Sequence, residues 1–469
     1  MKKGKPEPNS VSAIKTGSFE RRLALTKIGL LAGSKMAGQL AGSVFSGKEK
    51  RAEKRKIALS EQAQFIVAEL GKLKGSVVKI GQVMALYGEH FLPTEVTEAL
   101  HTLEENTTAL DWPVIREVLF EQLGPQAMSQ LDVEHTPIGS ASLGQVHRAT
   151  ILDTGKVICL KVQYPGVAQA IDVDLNAVAQ ILKLARIVTF GPAFDDWLEE
   201  VRTMMHREVD YVLEAKTTER FARMLEQDSR YIVPSVYWKY STARVMATSF
   251  EQGENVSSER VANLSQERRN LLGKLSLTIF LQELFEWGEI QTDPNFGNYR
   301  IRIDDQGEED KIVLLDFGAV QKYPSSFIDP VCNMISSAYY KNVSGVIKGG
   351  IALKIMNDDW PESILTEFAE VCIAVLEPLA SERNRDVPHA YNTVGDYCWK
   401  GSDLPTRIAK RAAKSAISRY FKIPPKEFVF LNRKLVGVYT FISVLDGEFN
   451  GKELLIPFLD LYQQKQPSQ

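Results

Sequence analysis

The sequence predicts an α+β protein of two lobes behind a helical N-terminal extension, and three observations carry that reading. Apolar residues recur at helical spacing from residue 59 to 106, punctuated by Gly71, Gly75 and Pro93. Between 131 and 166 the pattern changes to β-branched alternation with a turn at Asp153–Gly155, the mark of consecutive strands. From about 256 the chain is mostly helical, interrupted by "QTDPNFGNYRIRIDD" and "KIVLLDFGAV". Strands first and helices afterwards place the two kinds of structure in separate lobes.

The elements follow in order. Residues 1–20 are polar, with prolines and serines, and read as a disordered tail. Residues 21–58 read as a helical segment, rich in small residues around Gly38-x-x-x-Gly42 and closing on the basic run "GKEKRAEKRK". Such a run beside an amphipathic segment can hold an anionic membrane surface, or it is simply a solvated helix face. Residues 59–130 form the helical extension, 131–253 a strand-rich lobe with a helical insert, and 254–469 a helical lobe. Within the insert a helix is expected at about 167–190 and one more over "EEVRTMMHREVDYVLEA" (199–215), before short strands at "IVPSVYWKY" and "ARVMATSF". Near the end, 381–392 reads as a loop and 431–450 as a buried helix with a closing turn, in which Arg433 is assigned a structural role.

Composition excludes several functions. With 44% apolar and 25% charged residues over 469 positions, the chain can bury a sizeable core. A net charge of -3 argues against nucleic acid as the main partner. Four scattered cysteines and six histidines show no zinc spacing and fit a reducing compartment, so a cytoplasmic location is expected. No signal peptide and no run of 18 apolar residues is visible, so no membrane span is predicted.

The chemistry starts at "IGSASLGQVHRA" (138–149). Against the protein-kinase phosphate loop G-x-G-x-x-G-x-V it supplies Gly139, then Ser140, Ala141 and Ser142, then Gly144 and Val146, with alanine in place of the second glycine. A glycine pattern alone is weak, and downstream residues decide. Lys161 stands in the apolar strand "VICLKV", where an unpartnered ammonium is costly and where kinases hold the α- and β-phosphates of ATP. Asp293 and Asn298 have the D-x-x-x-x-N spacing of a catalytic loop, in which Asp orients or deprotonates the attacking group and Asn binds a metal ion. Asp316-Phe317-Gly318 ends an apolar strand, the position of a magnesium-binding carboxylate. Any one of these can arise by chance; their shared order and spacing cannot plausibly do so. Three departures argue against an ordinary protein kinase. Gln291 replaces the bracing His of H-R-D, no A-P-E motif follows, and Ala141 puts a methyl where backbone would approach phosphate.

With these motifs the chain resembles the UbiB family of atypical kinases of ubiquinone (coenzyme Q) biosynthesis over about residues 65–450. The family's K-x-G-Q motif is Lys79-Ile80-Gly81-Gln82, its E-x-D motif is Glu208-Val209-Asp210, and its alanine-rich loop is the stretch at 138–149. "QTDPNFGN" is closer to the coenzyme-Q branch than the "HADPHPGN" form, whereas "SAS" (140–142) is less alanine-rich than the family's loop. The resemblance implies a protein-kinase-like fold in which Lys79 and Gln82 face the nucleotide site and exclude a protein substrate. It assigns Glu214 to Lys161, with Glu208 and Asp210 engaging the Lys79 helix, although the residues alone leave Glu208 and Glu214 both open. It places the hinge in "VMATSFEQG", with Thr248 near adenine and Ser249, Phe250 and Glu251 offering backbone hydrogen bonds.

The resulting expectation is a kinase-like ATPase that binds ATP or ADP with Mg²⁺ through Lys161, Asn298 and Asp316 and uses Asp293 as catalytic aspartate. It would act in ubiquinone biosynthesis at the inner membrane surface, on or beside a lipid-like precursor and with other proteins of that route. The rivals are a protein kinase and a non-catalytic, nucleotide-dependent module that binds lipid or organises a complex.

Overall fold

The computed structural model describes residues 48–71, 76–88, 92–102, 109–184, 191–307, 309–380, 382–416 and 425–465. The expected tail at 1–20 and the Gly38-x-x-x-Gly42 stretch lie outside these residues. The chain divides into two compact units, one comprising residues up to 219 together with 235–250, the other 220–234 together with 251 onward.

The first unit opens with helices α1 (Lys48–Gly71), α2 (Ser76–Tyr87), α3 (Thr94–His101) and α4 (Trp112–Met128). Helix α2 carries the K-x-G-Q motif and is apolar on most of its circumference, so it is buried rather than laid on a surface. Val77, Ile80, Met84 and Ala85 are sealed from solvent. Around it pack α1, α3 and two later helices, α5 (Val167–Leu184) and α6 (Pro192–Glu208). At its start, buried Ser76 donates a hydrogen bond to buried Asp174 of α5.

The unit's sheet is antiparallel. Strands β1 (Leu131–Val133), β3 (Gly144–Ile151), β4 (Val157–Gln163) and β6 (Val245–Ser249) lie in that order, and β2 (Gly139–Ser140) folds back onto β3. Register sets Lys161 of β4 between Val146 and Met246. The single helix expected over 199–215 is two helices. Helix α6 stops at Glu208, and α7 (Tyr211–Met224) starts after a corner where Val209 has φ -102° and ψ 0°. The reason is a cap: the Asp210 carboxylate accepts the Leu213 N–H at 2.9 Å, satisfying a donor that a new helix would otherwise leave open.

The second unit is mostly helical. Its helices are α8 (Glu259–Ala262), α9 (Gln266–Gln282), α10 (Ser325–Tyr339), α11 (Val343–Ala352), α12 (Glu362–Val375), α13 (Leu404–Ala416), α14 (Lys426–Val444) and α15 (Lys452–Lys465). Two small sheets sit among them. Strand β7 (Glu289–Gln291) pairs with β10 (Val320–Lys322), while β5 (Tyr231–Ile232), β9 (Lys311–Leu314) and β8 (Tyr299–Arg302) form the other. The strand expected at "IVPSVYWKY" is thus only two residues long and gives way to a 3-10 turn at Trp238–Tyr240. Helix α14 begins earlier than expected because Pro425, which lacks an N–H to satisfy, stands at its start. No helix of the described residues is long and apolar enough to cross a membrane.

Candidate functional site

The first unit holds one set of the singled-out residues. Lys161 Nζ donates to both oxygens of Glu214, at 2.7 and 2.8 Å, and the carboxylate is 4% exposed against 28% for the lysine. A buried carboxylate is tolerated only when paired, and this one is paired bidentately by a cation that still reaches solvent. The helix break makes this possible, since it puts Glu214 in the first turn of α7 and Glu208 at the end of α6. Glu208 accepts from Lys79 Nζ at 2.6 Å, so the two glutamates serve two different lysines. Asp210 is exposed and spends a carboxylate oxygen on capping α7, rather than engaging the Lys79 helix as the resemblance implied. Gln82 is half-buried one turn of α2 beyond Lys79.

The loop before β3 turns tightly, with Ala141 N–H donating to Gly144 O at 2.8 Å. Gly144 is obligatory for space: a Cβ there would lie 2.6 Å from the Val162 carbonyl oxygen and 2.7 Å from the Tyr211 hydroxyl. Gly139 meets nothing within 4 Å, and Ser140 and Ala141 are exposed. Tyr211, buried at the start of α7, also holds the Lys161 ammonium 5.2 Å from its ring centroid. Sequence reading passed over this residue, although its position directly after E-x-D was a cue. Val146 faces Lys161 across the sheet.

In the expected hinge, the Ser249 N–H donates to Ser235 O at 2.8 Å and the Phe250 N–H to Val157 O at 3.1 Å, so these two amides are paired within the unit. Both donors are consumed because the strand continues pairing through these residues. Thr248 pairs with Cys159, and Arg148 lies over the Phe250 ring at 5.0 Å.

The second unit holds the other set. Asn298 Nδ2 donates to Asp293 Oδ2 at 3.0 Å, which leaves the amide oxygen of Asn298 as its acceptor. Asp316 Oδ1 accepts the Gly318 N–H at 2.9 Å. An amide oxygen and a carboxylate are the hard donors magnesium takes together with phosphate oxygens, so the donor set fits that ion. Among the described residues no group of three or more His, Cys, Asp or Glu gathers.

Gln291 stands in place of the bracing His of H-R-D and makes two bonds with its own side-chain amide. Its Nε2 donates to the Asp316 carbonyl at 2.7 Å while its Oε1 accepts the Asp293 N–H at 2.8 Å. One buried amide therefore ties the Asp293–Asn298 loop to the Asp-Phe-Gly segment, using a donor and an acceptor on opposite sides of the same group. Arg433 of α14, expected to be structural, reaches Asp293 Oδ1 at 3.3 Å. Helix α14 can come this close because Gly437 faces Pro294, where a Cβ would lie 2.1 Å from the proline Cβ. Phe317 packs on Phe221 with centroids 4.9 Å apart.

Comparison with known proteins gives the chain's family and fold. The chain is 29% identical to the zebrafish (Danio rerio) atypical kinase COQ8B, mitochondrial, over 460 residues, covering 95% of this chain and 70% of that protein. It is 28% identical to a probable serine/threonine-protein kinase, abkA, of Dictyostelium discoideum over 413 residues, 85% of this chain and 71% of that one. Among solved structures, a Mycobacterium tuberculosis protein, Rv3197, in complex with erythromycin aligns with a TM-score of 0.56 at 23% identity, over 87% of this chain and 97% of that one. That likeness establishes the kinase-like fold alone. Residues 102–349, more than half of the sequence and including the phosphate-loop, Lys161, Asp293 and Asp316 motifs, match the ABC1 atypical kinase-like domain. The chain therefore belongs to the ABC1 atypical kinase-like family, the UbiB family that its K-x-G-Q and E-x-D motifs resemble.

Proposed function

We propose that this protein is an atypical kinase-like ATPase that binds ATP or ADP with magnesium and supports ubiquinone biosynthesis at a membrane surface. The observation that carries the reading is the bidentate pair between Lys161 and buried Glu214, which holds an ammonium fixed beside a backbone turn built around Gly144. Lys161 would take nucleotide phosphate oxygens beside this turn, which Gly144 lets pack tightly against the Val162 carbonyl and Tyr211. Asn298 and Asp316 would hold the magnesium ion, which when bound neutralises charge developing on the phosphates. Asp293, kept in place by Asn298, Gln291 and Arg433, would orient the attacking hydroxyl or water. The tie to ubiquinone rests on the likeness to the COQ8 atypical kinases, and a lipid-like precursor is the acceptor class that fits it. A protein kinase acting on peptides and a non-catalytic lipid-binding or complex-organising module are the rivals that the test separates.

The test is Mg²⁺-dependent phosphate release from ATP, with and without anionic liposomes and a phenol-type precursor mimic. Release that the additives enhance and that Asp316→Asn abolishes is the expected result. Nucleotide binding without turnover under every condition would select the binding module, and transfer of labelled phosphate to a peptide would select the protein kinase.

A further inference from the structure

Helix α9 does not end cleanly. It widens into a π turn at Glu283–Trp287, closed by Gly288 at φ +60°, and turns of this kind often accompany functional sites. Glu283 opens that turn and is 3–4% exposed, with Lys434 Nζ, equally buried, 3.0 Å from its Oε2. The Tyr299 hydroxyl lies 3.5 Å from the same ammonium, and the Gln291 backbone N–H hydrogen-bonds to the Glu283 carboxylate. Glu283, Gln291, Asn298, Tyr299, Asp316 and Lys434 line one small cavity.

A buried ion pair is a poor source of stability, because removing two charges from water offsets their attraction and an apolar pair of similar volume packs as well. The neighbours of this pair supply another reason for it. On one side it meets Gln291, which ties Asp293 to Asp316, and on another Tyr299, the residue after Asn298. On its own helix it adjoins Arg433, which reaches Asp293. We propose that Lys434 and Glu283 form a positioning pair that fixes the Gln291–Tyr299 segment and the Arg433 turn of α14 to one another, and so sets the geometry of Asp293 and Asn298. The pair touches no reacting atom; it acts through Gln291, Tyr299 and Arg433. The role rests on the kinase-like reading above, but the placement of the loop can be measured without turnover.

The experiment compares the full chain with the double variant Glu283→Leu/Lys434→Met, which replaces the pair by apolar side chains. Three quantities are read: thermal midpoint, amide hydrogen exchange of residues 289–299 in the nucleotide-free protein, and phosphate release. The expected result is a thermal midpoint within a few degrees of wild type, exchange at 291–299 at least tenfold faster, and kcat reduced at least tenfold with KM for ATP changed less than threefold. Lys434→Arg, which keeps a cation opposite Glu283, should recover most of the exchange protection. Unchanged exchange at 291–299 in a folded double variant would overturn the proposal, as would a double variant that does not fold while Lys434→Arg stays loose at the loop. If wild type releases no phosphate, the functional reading falls while the exchange result still judges the pair.

Discussion

Gln291 and His147 show how single buried polar groups tie segments together within each unit. Gln291 needs both ends of its amide, one as donor to the Asp316 carbonyl and one as acceptor from the Asp293 N–H. Gln291→Glu keeps the shape but turns an acceptor toward the carbonyl, so stability should fall by about 1–3 kcal/mol. Phosphate release should fall with it, as denaturant unfolding and a turnover assay on one preparation would show. His147, sealed inside β3, uses Nδ1–H as donor to the Glu134 carbonyl and Nε2 as acceptor from Gln145, both at 2.8 Å. Burial lowers its pKa, the Glu134 hydrogen bond opposes that, and the nearby His135 charge adds to it. The folded protein thus keeps the ring neutral where the unfolded chain, near the ordinary value of 6.5, already binds a proton. Stability should rise with pH through the window below 6.5 and be lost as pH falls through it. Thermal midpoints from pH 5 to 8 should show that slope, and His147→Asn should flatten it.

At the level of elements, the corner between α6 and α7 decides which lysine meets which glutamate. Asp210→Ala removes the cap of α7 and should cost about 0.5–2 kcal/mol, measurable by urea unfolding; Asp210→Asn, which still accepts the Leu213 N–H, should recover most of it. In helix α14, Gly437→Ala forces a methyl into Pro294 and should cost about 1–3 kcal/mol, with a larger loss of turnover than of nucleotide affinity. These elements also show where the sequence was readable. Lys161, Asp293, Asn298 and Asp316 could be singled out because the motifs they belong to are short patterns inside strands and turns. The break at 209–210 was missed because E-V-D-Y keeps helical periodicity, although an aspartate followed by an acidic residue, Glu214, in the next turn is a helix-start signal. Arg433 and the Glu283–Lys434 pair were not legible at all. Their partners lie 140 and about 150 positions away, and no local pattern encodes a contact of that span.

On the scale of the whole molecule, the two-lobed α+β architecture was legible from the switch between helical and strand periodicity, and its kinase-like character and family from short motifs. What periodicity could not supply is how the chain is shared out. The first unit takes its last strand, β6, from residues 235–250, after the chain has already contributed 220–234 to the second. That β6 pairs with β4 from Ile158 to Val162, the strand that carries Lys161. A gene fragment stopping at residue 219 would therefore omit β6 and leave β4 as a bare sheet edge, a template for pairing with a second copy. Such a fragment should self-associate in sedimentation experiments. One in which residues 235–250 are rejoined by a flexible tether should stay monomeric. Anyone dissecting this protein into expressible pieces, or splicing a piece into another scaffold, has to cut along the fold rather than along the sequence.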